Sequence, residues 1–186
     1  MAITTLDPQT ALIVIDLQNG ILASPKAHPL EGVLGNAIAL TDAFRDHGLP
    51  VVLVTVAGGA PGRTDQAGGA APRQFPEGWA DLIPELDGHP GDHLVTKRTW
   101  GAFHETGLND HLQQLGVTQV VIVGVATSAG VESTARSAHE HGFNVTLPVD
   151  AMTDSSLEAH VNSVTRIFPR LAETGTTAEL LDLLGK

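Results

Sequence analysis

QVVIVGVATSAGVESTAR, Gln119 to Arg136, holds the strongest strand signal of the chain and its sharpest change of pattern. Val120 to Val123 is an unbroken β-branched run, as expected of a strand covered on both faces. Gly-Val-Ala-Thr then leads into a helical segment that runs to Gly142. A strand that ends in a tight turn and feeds a helix is where many α/β enzymes display a nucleophile. At the centre of this turn stands Gly130, which has no side chain.

Working outward, similar apolar runs recur as ALIVID (11–16), VVLVTV (51–56), HLVTKR (93–98) and NVTLPVD (144–150). Helical patterns lie between them. LEGVLGNAIALTDAFRDHG sets Val33, Ala37, Leu40 and Phe44 at helical spacing, with Gly48 to end it. TGLNDHLQQLG opens at a candidate cap, Thr106, and stops at Gly116; SLEAHVNSVTRIF follows Ser155 and Ser156. Strands alternating with helices predict one α/β domain over residues 1–186, a three-layer α/β/α sandwich around a mainly parallel sheet.

The chain has 186 residues, enough for a substantial core, and no cysteine, which removes disulfides, thiolate metal sites and thiol catalysis. Its formal net charge of −11 opposes nucleic acid and anionic membrane surfaces as partners. ALIVI is too short to span a bilayer, and no basic segment precedes it, so a cytoplasmic location is expected. The histidines stand apart in helical or turn contexts, and no metal ligation is expected of them.

One segment departs from the rhythm. AGGAPGRTDQAGGAAPRQFPEGW (57–79) is rich in Gly, Ala and Pro and follows a strand's C-terminal end, where ligands bind in open α/β sheets. Arg63 and Arg73 are its cations. A substrate lid and a plain surface loop both fit this composition.

Strand ends also deliver Asp16, in IDLQNG, and Lys97 with Arg98, in TKRTWGAF. A carboxylate at the end of a buried strand needs a partner. Taken alone, Asp16 fits a turn cap on Gln18 or Asn19, and Lys97 fits a solvated strand end. A pair facing each other would hold Asp16 ionised and Lys97 charged.

In this order and spacing, ALIVIDLQNG, VVLVTV, TKRTWGAF, GVATSAGVESTAR and NVTLPVDAMTD resemble the isochorismatase-like hydrolases over nearly the whole chain. The resemblance implies a flavodoxin-like α/β fold and an Asp–Lys–Cys triad, with Asp16 and Lys97 in the first two places and Gly130 where most members carry the nucleophilic Cys. It further implies a non-proline cis peptide at Val125–Ala126 and an oxyanion hole built from the amides of Ala126 and Gly130. Gln18, Arg98, Trp100, Phe103, Val125, Ala126 and Thr127 are the residues it sets around a substrate, while ordinary packing of the helix that follows fits Trp100 and Phe103 equally. Trp79 is placed to close over a ligand or to meet a neighbouring subunit, and a homodimer or higher homo-oligomer is expected. Where zinc-dependent members have Asp-x-His and further histidines, this chain has VTVAGGAPG, so neither metal nor cofactor is expected.

Without sulfur no thiol adduct can form. Isochorismatases also carry Gly at this position and cleave a vinyl ether by acid catalysis. In that scheme Asp16 is the general acid and needs a raised pKa, Lys97 steadies charge, and Gly130 leaves room for ligand or water. The turn differs from theirs, reading Ala126-Thr127-Ser128-Ala129 where they have an aromatic residue, Ala and His. Isochorismate is thus one candidate among small carboxylates. Two alternatives remain: a ligand-binding scaffold that has lost catalysis, and an amide hydrolase with Ser128 or Ser133 as a displaced nucleophile.

Overall fold

The computed structural model describes residues 3–65 and 75–185. In chain order come β1 (Thr10–Ile15), α1 (Asn19–Leu22), α2 (Leu30–Asp46), β2 (Val51–Val56), β3 (His93–Lys97), α3 (Leu108–Gln114) and β4 (Gln119–Val125). They are followed by α4 (Glu132–Glu140), β5 (Asn144–Pro148), β6 (Met152–Thr153), α5 (Leu157–Asn162), β7 (Glu173–Gly175) and α6 (Thr177–Leu184). The sheet runs β3-β2-β1-β4-β5-β7, with β6 beside β4 beyond the end of β5, and every pairing is parallel.

The unbroken apolar runs are explained by two cores, one on each face. Ile13, Ile15, Val52, Val54, Val120 and Ile122 pack toward α3, α4 and the aromatic rings of Phe103, Phe143 and Phe168. Their chain neighbours Leu12, Val14, Leu53, Val121 and Val123 pack toward Ala37, Leu40 and Phe44 of α2 and Leu180 of α6. Successive strand residues point to opposite faces, and here both faces are covered by helices. The result is the three-layer α/β/α sandwich.

The local expectations are met with shifted boundaries. α3 begins at Leu108 behind Gly107, whose φ is 74°, rather than at Thr106. The Thr106 hydroxyl donates to Ala102 O at 2.5 Å and accepts from Leu108 N at 3.3 Å. The helix after β4 opens as a π turn, Thr127–Val131, before α4 becomes regular. The one long helix expected after Ser156 breaks into α5, a π turn at Ser163–Ile167 and a 3₁₀ turn, Phe168–Arg170, that contains Pro169.

The C-terminal part was not anticipated from the sequence. β7 is three residues without an apolar run, and it forms by adding to β5 through Thr146–Glu173, Leu147–Thr174 and Pro148–Gly175. It hands the chain to α6 through a capping box: Thr176 Oγ1 accepts from Glu179 N, and Glu179 accepts from Thr176 N. Thr176→Ala is expected to lower stability by about 1 kcal/mol, read as an earlier urea midpoint at unchanged slope.

Candidate active site

Strands β2 and β3 lie to one side of β1, while β4 and β5 lie to the other. The crevice at the C-terminal ends of β1 and β4 is therefore the topological switch point, where open α/β sheets bind ligands. Register brings the ends level, with Ile15 beside both Val54 and Gly124, and Val56 beside Lys97. Asp16, Lys97 and the turn after β4 consequently meet.

Lys97 Nζ donates to Asp16 Oδ2 at 2.7 Å and to Thr99 O at 3.3 Å. Both side chains are almost wholly buried, at 2% and 7% exposure. Asp16 Oδ1 is also buried and has no hydrogen-bond partner among the described residues. Burial is the dominant influence on this carboxyl and outweighs the attraction and hydrogen bond of Lys97, so its pKa rises to about 6. Lys97 does draw Asp16 toward its ionised form, as expected, but desolvation outweighs it and the pKa stands above the ordinary carboxylate value. Asp16 also takes a left-handed φ of 52°, uncommon for a side-chain-bearing residue and a mark of strained functional positions.

The turn after β4 faces this carboxyl. A Cβ placed on Gly130 would stand 3.3 Å from Asp16 Oδ2 and 3.5 Å from Val125 O. It would also stand 2.9 Å from Ile15 Cγ2, so the volume left by the missing side chain is partly filled by that methyl group. The opening expected at Gly130 is accordingly smaller than a whole side chain. Gly124 permits the approach itself: its φ is 115°, and a Cβ there would meet Ile15 O at 2.1 Å. The Val125–Ala126 peptide is cis, and Ala126 O accepts from both Ala129 N and Val131 N at 3.1 Å.

The remaining expected ligand contacts divide. Gln18 is fully buried and turned to the scaffold. Its amide donates to Val56 O and Trp79 O and accepts from Val56 N at 2.7 Å, which ties β2 to the segment after β1. Phe103 belongs to the core beside Phe143. Val125 is buried in the opposite core, and the Thr127 hydroxyl is paired with His160 Nδ1 at 2.8 Å. These side chains are consumed by packing and internal hydrogen bonds, so only their backbone remains for a ligand. Trp100 and Arg98 are exposed, and Ala126 is half-buried. The Trp79 indole occupies the place of a Gly20 side chain and stacks on Phe75 with ring centroids 4.1 Å apart. Arg73 and the rest of residues 66–74, within the span expected to form a lid, lie outside the described residues.

Several residues around the turn were missed in the sequence. Asp154 accepts from both Ser128 N and Ser128 Oγ at 2.8 Å, so that hydroxyl is engaged by a carboxylate. Thr134 Oγ1 donates to Gly130 O at 2.6 Å and accepts from Ala102 N at 3.1 Å, joining the turn to the loop after Lys97. His160 lies edge-on to His28, and burial followed by the charge of His28 lowers its pKa. In sequence, Ser155 and Ser156 read as the start of a helix, and nothing in the sequence joins Asp154 or His160 to the turn after β4. No group of three or more His, Asp or Glu able to hold a metal occurs among the described residues. Nor is any helix among them long and apolar enough to cross a membrane.

Residues 10–179 match the isochorismatase domain model. The chain is 39% identical over 179 residues to the uncharacterized isochorismatase family protein YwoC of Bacillus subtilis (strain 168), covering 94% of this chain and 93% of that one. It is 32% identical over 155 residues to nicotinamidase 3 of Arabidopsis thaliana, covering 81% and 76% of the two chains. Among solved structures, an isochorismatase family protein from Burkholderia thailandensis superimposes with a TM-score of 0.91 at 37% identity, over 100% of both chains.

Proposed function

This chain belongs to the isochorismatase family, whose members are hydrolases, and from that premise we propose that it cleaves the vinyl ether of isochorismate or a related small carboxylate by acid catalysis from Asp16. One observation carries the reading: a buried carboxyl with one oxygen held by Lys97 and the other unpartnered, beneath a turn with no nucleophile. A thiol intermediate is impossible in a chain without cysteine.

The steps follow from that carboxyl. Lys97 fixes Oδ2, leaving Oδ1 as the atom that carries the transferable proton. Asp16 gives it to the methylene carbon of the enol ether, whose electron pair forms the new C–H bond and leaves an oxocarbenium ion. Water adds to the cationic carbon and returns a proton to the Asp16 carboxylate; the hemiketal then breaks its C–O bond as its hydroxyl proton passes to the departing oxygen, releasing pyruvate and the diol. As Asp16 becomes a carboxylate, the Lys97 ammonium at 2.7 Å stabilises the charge that forms, in a site with little water to screen it. The substrate's own carboxylate is served by the same ammonium and by exposed Arg98 at the rim.

A serine-based amide hydrolysis finds less support, because the Ser128 hydroxyl is directed to Asp154 rather than toward Lys97. The test is release of pyruvate from isochorismate across pH. Acid catalysis requires protonated Asp16, so turnover is expected to be level below about 6 and to fall tenfold per pH unit above it. A rate that instead rises through this range would point to a base or a deprotonated nucleophile and sink the proposal. Absence of pyruvate at every pH would remove isochorismate as the substrate.

A further inference from the structure

We infer that Asp154 is a positioning residue of this site, holding the turn that lies over Asp16; the inference rests on the reading of that turn as the substrate-facing wall. Asp154 is 3% exposed and lies beyond β6. Its Oδ2 takes both the backbone and hydroxyl hydrogens of Ser128 at 2.8 Å. Its Oδ1 takes Ser156 N at 3.2 Å and Ser155 Oγ at 3.4 Å. Burial alone would raise the pKa of such a carboxyl, but the donors from Ser128, Ser156 and Ser155 together outweigh it and hold Asp154 as an anion.

The same residue reaches the other half of the crevice. Asp154 O accepts from Ala27 N at 2.7 Å, in the segment that follows Asp16 and α1. Next to it, Thr153 Oγ1 accepts from His28 N and contacts His28 Nδ1 at 3.0 Å. One residue therefore braces the wall that carries Gly130 and the loop that leaves the acid. A buried carboxylate that accepts the main-chain N–H of the second residue of a π turn fixes how far that turn stands from Asp16. A displacement of about 1 Å at such a wall lowers turnover by about 100-fold.

The experiment compares Asp154→Ala, Asp154→Asn and Ser128→Ala with wild type in two readouts: kcat and KM for pyruvate release from isochorismate, and amide hydrogen exchange of Ser128, Ala129 and Gly130. Asp154→Ala is expected to lose about 100-fold in kcat, with KM changed less than threefold and the alkaline fall in rate still near pH 6. Asp154→Asn keeps one acceptor oxygen for Ser128 N, so it recovers about tenfold and serves in place of the alanine variant if that variant does not fold. Ser128→Ala keeps the main-chain bond and is expected to lose less than tenfold. Exchange at these amides rises at least tenfold in Asp154→Ala and much less in Ser128→Ala.

Wild-type kcat in Asp154→Ala, or equal losses in Ser128→Ala and Asp154→Ala, would overturn the inference. Should wild type release no pyruvate, the proposed reaction fails while exchange still decides this inference. Unchanged exchange in the Asp154 variants overturns it, and raised exchange upholds the bracing.

Discussion

Asp16→Asn is expected to lower pyruvate release by about 100- to 10,000-fold with little change in KM, the range a general acid contributes. Asparagine keeps the shape of the side chain and an oxygen for the Lys97 ammonium, but its amide cannot supply a proton of carboxylic strength. The residual rate should lose its dependence on pH near 6, because the group that titrates there has been removed. A variant that keeps the wild-type profile would assign the titration to another residue and end the proposal. The folded state also responds, and the sign is fixed. Asp16 has a folded pKa of about 6 against 3.8 for an unperturbed group, so the folded protein binds more protons between these values. Its contribution to stability is therefore largest at low pH and declines as pH rises through that window. In the variant this decline should vanish. Above about pH 6, where wild-type Asp16 is ionised, the variant leaves Lys97 buried without its counter-charge and stability falls by a few kcal/mol. Circular dichroism at the assay temperature confirms that the lost rate is not lost structure.

Lys97→Met tests the partner and moves the profile in the opposite sense. Lys97 supplies both of the influences that hold the Asp16 pKa down, and burial, which drives it up, remains. The alkaline fall in turnover should shift from about 6 to a higher pH. The plateau should drop by about 10- to 100-fold, because the carboxylate formed on proton transfer then lacks the ammonium at 2.7 Å. Methionine keeps most of the apolar stem's packing, so a neutral Asp16 can remain buried without an unpaired charge. An unmoved midpoint would show that the titrating group is not in contact with Lys97.

Much of this architecture was legible because it depends on local periodicity. The runs around Leu12, Leu53 and Val121 are apolar at every position, and only strands covered on both faces satisfy that pattern. Asp16 and Lys97 stood out because each ends such a run with a charge. β7 was not legible: Glu173, Thr174 and Gly175 carry no strand signal, and they become a strand because β5 offers an unpaired edge. The surroundings of Gln18 were not legible for a related reason: β2 brings Val56 N within 2.7 Å of its side-chain oxygen.

Composition and order of residues by themselves determined the α/β class, the absence of thiol chemistry and the placing of an acid, an ammonium and a glycine at three strand ends. Those properties follow from side-chain chemistry and from the period at which apolar residues recur, both of which are written along the chain. The tertiary structure alone decided that Asp16 is held toward its neutral form, that an Ile15 methyl partly fills the space at Gly130, and that Asp154 holds the turn. Each of these is a balance among groups distant in sequence: burial against Lys97 from another strand, one methyl against a turn more than a hundred residues away, a carboxylate against the amide it faces. Desolvation and hydrogen bonding depend on distance in space, and folding sets that distance.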